Sequence, residues 1–199
     1  HDNAVFTDKE QFQQPAFMQL KGKYILTPVK SGLMIIDQKR AHQRVLFEKF
    51  LNSLKGNMGI SQQSLFPSTI ELGTTDFILI KDALDELTKA GFDIREFGKN
   101  TIVVHGLPAD VSDIDSNFVI QQIIEELKLH EGDKKLDMDE HIARIMAKTA
   151  AINYGKPLEV KEMRSVFDQL FACSMPNYSP FGKPTLNIMK FDDIEKNLH

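Results

Sequence analysis

A single cysteine, Cys173, occurs in 199 residues, which excludes an internal disulfide. So sparing a use of thiols fits a reducing compartment, and the cytoplasm is the expected location. No apolar run approaches the roughly 20 residues of a membrane-spanning helix, and His1-Asp2-Asn3 does not open a secretory leader. A basic excess is missing as well. The 24 Lys and Arg are outnumbered by 28 Asp and Glu, leaving a formal charge of −4. Affinity for phosphate backbones comes mainly from Lys and Arg displacing condensed counterions, so any DNA contact must come from a local patch. Neither a Walker-type phosphate loop nor a Gly-x-Gly-x-x-Gly turn is present, and nucleotide binding finds no support in this stretch. Without an initiator Met, the chain reads as a piece of a longer protein.

What is present is an ordinary supply of core: 42% of the residues are hydrophobic, enough for one domain or two small ones. Residues 1–15 are polar, with Gln11, Gln13, Gln14 and Pro15, and read as the end of a linker. Tyr24 to Val29 and Leu33 to Ile36 flank a Lys30-Ser31-Gly32 turn as a strand hairpin. Leu46, Phe50 and Leu54 then recur at helical spacing from Arg40 to Leu54. Leu65 to Leu72 follows as a strand. Thr74 or Thr75 is expected to cap a helix carrying Phe77, Ile80, Leu84 and Leu87, stopped by Gly91. A second hairpin turns at Gly98-Lys99-Asn100, and Pro108 closes it. Helices are expected over Ser116 to Leu129, Asp137 to Tyr154 and Val160 to Ala172, with a charged break at Gly132 to Lys135. Pro184 to Phe191 should return as a strand to the first sheet. The fold class is α+β.

One stretch carries more than pattern. Asp37-Gln38-Lys39-Arg40-Ala41-His42-Gln43-Arg44-Val45-Leu46-Phe47-Glu48 resembles the endonuclease motif of the MutL mismatch-repair family, Asp-Gln-His-Ala-x-x-Glu-x-x-x-x-Glu. Only Asp37, Gln38 and Glu48 keep the pattern; Lys39 stands for the family's His, Arg40 for its Ala and Gln43 for its first Glu. Two further family segments have counterparts downstream. Lys148, within Ala147 to Gly155, takes the place of a Cys. In Ser179-Pro180-Phe181-Gly182-Lys183-Pro184, Ser179 replaces Cys, Phe181 replaces His and Lys183 replaces Arg. The resemblance covers almost the whole chain through the order of these segments.

The resemblance implies an external dimerization subdomain from residues 16–73 and 148–199, with an internal regulatory subdomain, 74–147, inserted. It also implies an upstream ATPase of the GHKL type, so that ATP and magnesium belong to that part and no cofactor to this one. The implied partners are a second copy of the chain, a MutS-like mismatch-recognition protein, the replicative sliding clamp and, weakly, DNA.

Zinc sites need imidazole, thiolate or carboxylate donors converging at about 2.0–2.3 Å, and an ammonium has no lone pair to give. The matched positions Lys39, Gln43, Lys148, Ser179 and Phe181 offer no His or Cys. The expected function is therefore a homodimerization and docking domain without endonuclease activity, its vestigial site filled by lysines paired with Asp37 and Glu48. The alternative is a metal-dependent nicking endonuclease with divergent ligands, and an adaptor outside repair is a third reading. His42 is expected at the surface or in the first helical turn, Asp139-Glu140-His141 and His130-Glu131 as helix surface, and Cys173 as a small core residue rather than a nucleophile.

Gln62-Gln63-Ser64-Leu65-Phe66-Pro67 resembles the pentapeptide by which bacterial proteins engage the sliding clamp. Gln62 would bond at a pocket rim, Leu65 and Phe66 would enter an apolar cleft, and Pro67 would limit the freedom lost on docking. The competing reading packs Leu65 and Phe66 into the core. A DNA patch is expected from Arg40, Arg44 and Lys156, joined by Lys39, Lys148 and Lys183, against the plain reading of a solvated charged surface.

Overall fold

The computed structural model describes residues 16–56, 59–129 and 137–198. The expected linker at 1–15, the break at 132–135 and His130-Glu131 lie outside them. Along the chain run β1 (Met18–Leu20), β2 (Tyr24–Val29), β3 (Gly32–Asp37), α1 (Gln38–Gly56), β4 (Ser61–Glu71), α2 (Thr74–Asp82) and α3 (Leu84–Lys89). They are followed by β5 (Asp93–Glu96), β6 (Thr101–Pro108), a 3-10 turn at Ala109–Val111, α4 (Ser116–Leu129), α5 (Met138–Ala150), α6 (Val160–Ala172), β7 (Leu186–Lys190) and α7 (Phe191–Lys196).

Two antiparallel sheets divide the strands, in the orders β1-β2-β3-β7 and β4-β6-β5. The first joins both ends of the described chain, because β7 pairs with β3 from Gly32↔Lys190 to Ile36↔Leu186. Gly32 is required there: a Cβ would stand 2.0 Å from the Met189 carbonyl oxygen. At the β1–β2 reversal Lys21 and Gly22 both take positive φ, and a Cβ on Gly22 would meet the Gly155 backbone at 2.8 Å.

The inner face of the first sheet carries Ile25, Met34 and Ile36, packed with Met163, Val166 and Leu170 of α6. Helix α1 serves two cores. Ala41 and Val45 join this cluster, whereas Leu46, Phe47, Phe50 and Leu54 join a larger one with Ile102 and Val104 of the second sheet and the apolar faces of α2 to α5.

The other face of the first sheet is also apolar. Register aligns Met18, Leu26 and Ile35 across β1, β2 and β3, and Pro28, Leu33 and Met189 across β2, β3 and β7. None of these side chains joins either core cluster. Met18 is 59% exposed and Met189 42%.

The structure departs from the sequence expectations at several points. Gly73, not a threonine, precedes α2, and the Thr74 hydroxyl accepts instead from Asn100 Nδ2 at 3.0 Å. The helix expected to run on to Gly91 breaks at Ala83 into α2 and α3. Helix α5 stops at Ala150 rather than Tyr154, because Ala151 is extended and the Ile152 N–H donates to His42 Nδ1 at 3.0 Å. His141 is buried, not surface, and α7 is a helix beyond those expected. Strand β4, grouped above with the segments of the first sheet, pairs with β6 in the second.

Candidate functional site

Asp37 ends β3 and Gln38 begins α1 with no loop between them, which fixes the motif to the seam between sheet and helix. The Asp37 carboxylate accepts from the Arg40 backbone N–H at 3.0 Å, an N-cap, and from the Tyr154 hydroxyl at 2.8 Å, with Arg40 Nε at 3.4 Å. Burial of the Tyr154 hydroxyl, then its bond to Asp37, pushes its pKa up to about 12. That phenol is a fixed donor, not an acid.

Gln38 is fully buried and ties three segments together. Its Nε2 donates to the Gly22 carbonyl at 2.7 Å, with the Asn153 and Lys156 carbonyls at 3.3 and 3.4 Å, while its Oε1 accepts from Gln19 Nε2 at 2.7 Å. Gln19 in turn donates to the Lys156 carbonyl at 2.8 Å and accepts from the Leu158 N–H at 3.2 Å. Sequence reasoning missed this hub; no spacing links Gln19 to it.

Further along α1, Arg44 is buried, donating through Nε to the Tyr178 carbonyl at 2.6 Å, with Nη1 3.5 Å from Glu48 and the guanidinium 5.3 Å from the Phe47 ring centre. Glu48 accepts from Ser174 N–H at 2.8 Å, Ser174 Oγ at 2.9 Å and Met175 N–H at 3.3 Å. It pins the segment after α6.

The lysines expected to neutralise these carboxylates do otherwise. Lys39 Nζ donates to Asn153 Oδ1 at 3.3 Å and faces the Tyr154 ring, whose other cation is Lys23. Lys148 pairs with Glu126 on α4. The counter-charges are Arg40 and Arg44, three residues after Asp37 and four before Glu48, where helix geometry brings side chains together. Ser179 Oγ closes a tight turn by accepting from Phe181 N–H at 3.3 Å and Lys183 N–H at 3.2 Å. Phe181, Lys183 and Lys156 are exposed, and Gln43 is buried.

These residues do not fit the family's metals. About eleven residues of helix, roughly 16 Å, separate Asp37 from Glu48, too far for one ion to bind both. Among the described residues no three His, Cys, Asp or Glu side chains gather. Cys173 is no substitute, since burial first, and then the Glu48 charge, push its thiol up to about 11. Arg44, expected in a DNA patch, is buried and engaged; Lys39 and Arg40 are half-buried, and Lys156 and Lys183 are exposed.

His42 accepts from Ile152 rather than facing solvent, and burial, against a partly offsetting Asp110, lowers its pKa to about 4. The unfolded chain therefore binds more protons between about pH 4 and 6.5, and stability falls as pH drops through that window. The loss should total about 3 kcal/mol below pH 4. Urea melts at pH 7 and pH 5 should separate by more for the native chain than for His42→Gln, and an equal separation would remove His42 from the account.

The second candidate site is a bulge in β4. Gln63 pairs with Gly106 and Ser68 with Val104, so residues 64–67 are extruded from the ladder. Leu65 is 91% exposed and Phe66 83%, so neither packs into the core. A cavity of about 400 Å³ lies between the bulge and Val104, Leu107, Ser112, Ile114 and Ser116.

The family model described as the MutL C terminal dimerisation domain matches residues 17–158. The DNA mismatch repair protein MutL of Bacteroides fragilis is 36% identical over 179 residues, 90% of this chain and 29% of that protein. MutL of Flavobacterium johnsoniae is 36% identical over 196 residues, 98% and 30%, and that of Chlorobium phaeobacteroides (strain DSM 266) 36% over 182 residues, 92% and 29%. The chain thus spans about three tenths of the length of the curated relatives it matches.

Proposed function

The chain belongs to the family of MutL C-terminal dimerisation domains, and on that premise we propose that it couples two copies of a mismatch-repair ATPase without itself cutting DNA. The observation that carries the second half is the state of the two remaining motif carboxylates. Asp37 is taken up by a helix cap, a tyrosine hydroxyl and Arg40, and Glu48 by a loop backbone and Arg44. Each is already satisfied as a structural acceptor, and a cation would have to displace those partners, the buried Arg44 guanidinium among them. The apolar outer face of the first sheet supports the coupling role, since a face of that kind is what a two-fold, self-complementary contact requires.

In the longer protein this domain is the hinge post for two GHKL-type arms that bind ATP and magnesium, close around DNA in the cytoplasm and respond to a MutS-like partner. The β4 bulge docks the replicative sliding clamp through Leu65 and Phe66, framed by Gln62 and Pro67. Lys39, Arg40, Lys156 and Lys183 give DNA a weak electrostatic contact. Elemental analysis of protein purified without chelator is expected to find well under one zinc per chain, and added Mn²⁺ should nick supercoiled DNA no faster than a Glu48→Ala control. Stoichiometric zinc, or nicking lost in that control, would restore the endonuclease.

A further inference from the structure

Within the β4 bulge one side chain bonds back to the bulge's own backbone. Ser64 Oγ accepts from the Phe66 N–H at 3.2 Å and donates to the Phe66 carbonyl at 2.8 Å, so one hydroxyl closes both polar ends of the same residue. Phe66 precedes Pro67, whose ring already confines Phe66 to extended backbone. The base of the bulge is fixed too. Gln63 Nε2 donates to Asp93 Oδ2 at 3.2 Å, and Ser116 Oγ to Ser68 Oγ at 2.8 Å. Gly106 lets β4 approach closely, because a Cβ there would lie 2.4 Å from Ser61 Oγ.

We infer that Ser64 is a positioning residue for docking: it presets the Leu65-Phe66 pair in the outward geometry that an apolar cleft with a hydrogen-bonding rim receives. The inference rests on the docking reading above and adds the device that makes a short contact bind. A peptide of this length buries little area, and its affinity depends on how much backbone freedom is lost on binding. Anchored at both ends and closed by Ser64, the bulge has given up much of that freedom before the partner arrives. The anchors at Gln63 and Ser68 are what an isolated peptide of the same sequence lacks.

The test compares this chain with and without Ser64→Ala for binding to a purified sliding clamp, beside amide exchange at Phe66 in the unbound chain. The variant should lose roughly three- to tenfold in affinity, the worth of one or two hydrogen bonds. Ser64→Thr should restore the chain, and its thermal melt should not move. A loss of affinity with exchange at Phe66 unchanged would mean that Ser64 touches the partner, and no loss of affinity would mean that it presets nothing; either result overturns the inference. If the native chain fails to bind the clamp, as the Leu65→Ala, Phe66→Ala double variant should, the docking reading itself falls. Amide exchange then decides the inference separately: Ser64→Ala should speed exchange at Phe66 about tenfold in the unbound chain, and an unchanged rate overturns the preset.

Discussion

Ile35→Glu is expected to turn the dimer into single chains at micromolar concentration while leaving each chain folded. Ile35 lies at the centre of the outer face, opposite Leu26 on one side and Asn187 on the other, and is only partly buried within one chain. A carboxylate there stays in reach of water when the chain is alone. Between two copies it is buried without a partner, and the two-fold symmetry doubles the penalty. At about 2–3 kcal/mol for each copy, the dissociation constant should rise by roughly a thousandfold or more. Sedimentation equilibrium reads the association and circular dichroism the fold. A variant that stays dimeric would move the interface away from this sheet. The neighbouring Ile36→Glu should unfold the chain instead, since Ile36 is fully buried on the inner face.

Gln38→Ala should be the most costly single change at the former motif. It removes a donor shared by the Gly22, Asn153 and Lys156 carbonyls, removes the acceptor of Gln19, and opens space at a site with no exposure. The expected loss is about 2–4 kcal/mol in urea unfolding, or a melting temperature lower by roughly 10 °C. Gln38→Glu should be worse still, because a carboxylate would face carbonyl oxygens with no hydrogen to give. A loss under about 1 kcal/mol in Gln38→Ala would mean that the three segments are held together by other contacts.

Much of this architecture is local enough to be legible. Gly32 and Gly98 mark turns, apolar spacing marks α1, α4 and α6, and the strand near Leu186 is recognisable although its partner lies at Leu33 to Ile36. The absence of His and Cys at the motif positions needs only the sequence. The partners of the carboxylates are legible too, since Arg40 and Arg44 stand at helical contact distance from Asp37 and Glu48. What no spacing encodes is tertiary: that Ile152 finds His42 and ends a helix, that Gln19 reaches Gln38, and that Ala83 divides α2 from α3. The outward setting of Leu65 and Phe66 belongs with these, because the same letters fit a buried strand. Only the pairing of Gln63 and Ser68 with β6 decides it.

The pairing of β3 with β7 also sets an order of events during synthesis. On a ribosome the second sheet and α2 to α5 can complete their core from one continuous stretch of chain, whereas the first sheet must wait for residues up to Lys190 to emerge. Until then β1 to β3 are a ribbon apolar on both faces, with α6 not yet laid over Ile25, Met34 and Ile36. A translational pause before residue 160 would prolong that interval and favour aggregation. Folding yield in the cell should therefore respond to elongation speed through the codons of residues 160–190 more than to speed elsewhere in this stretch.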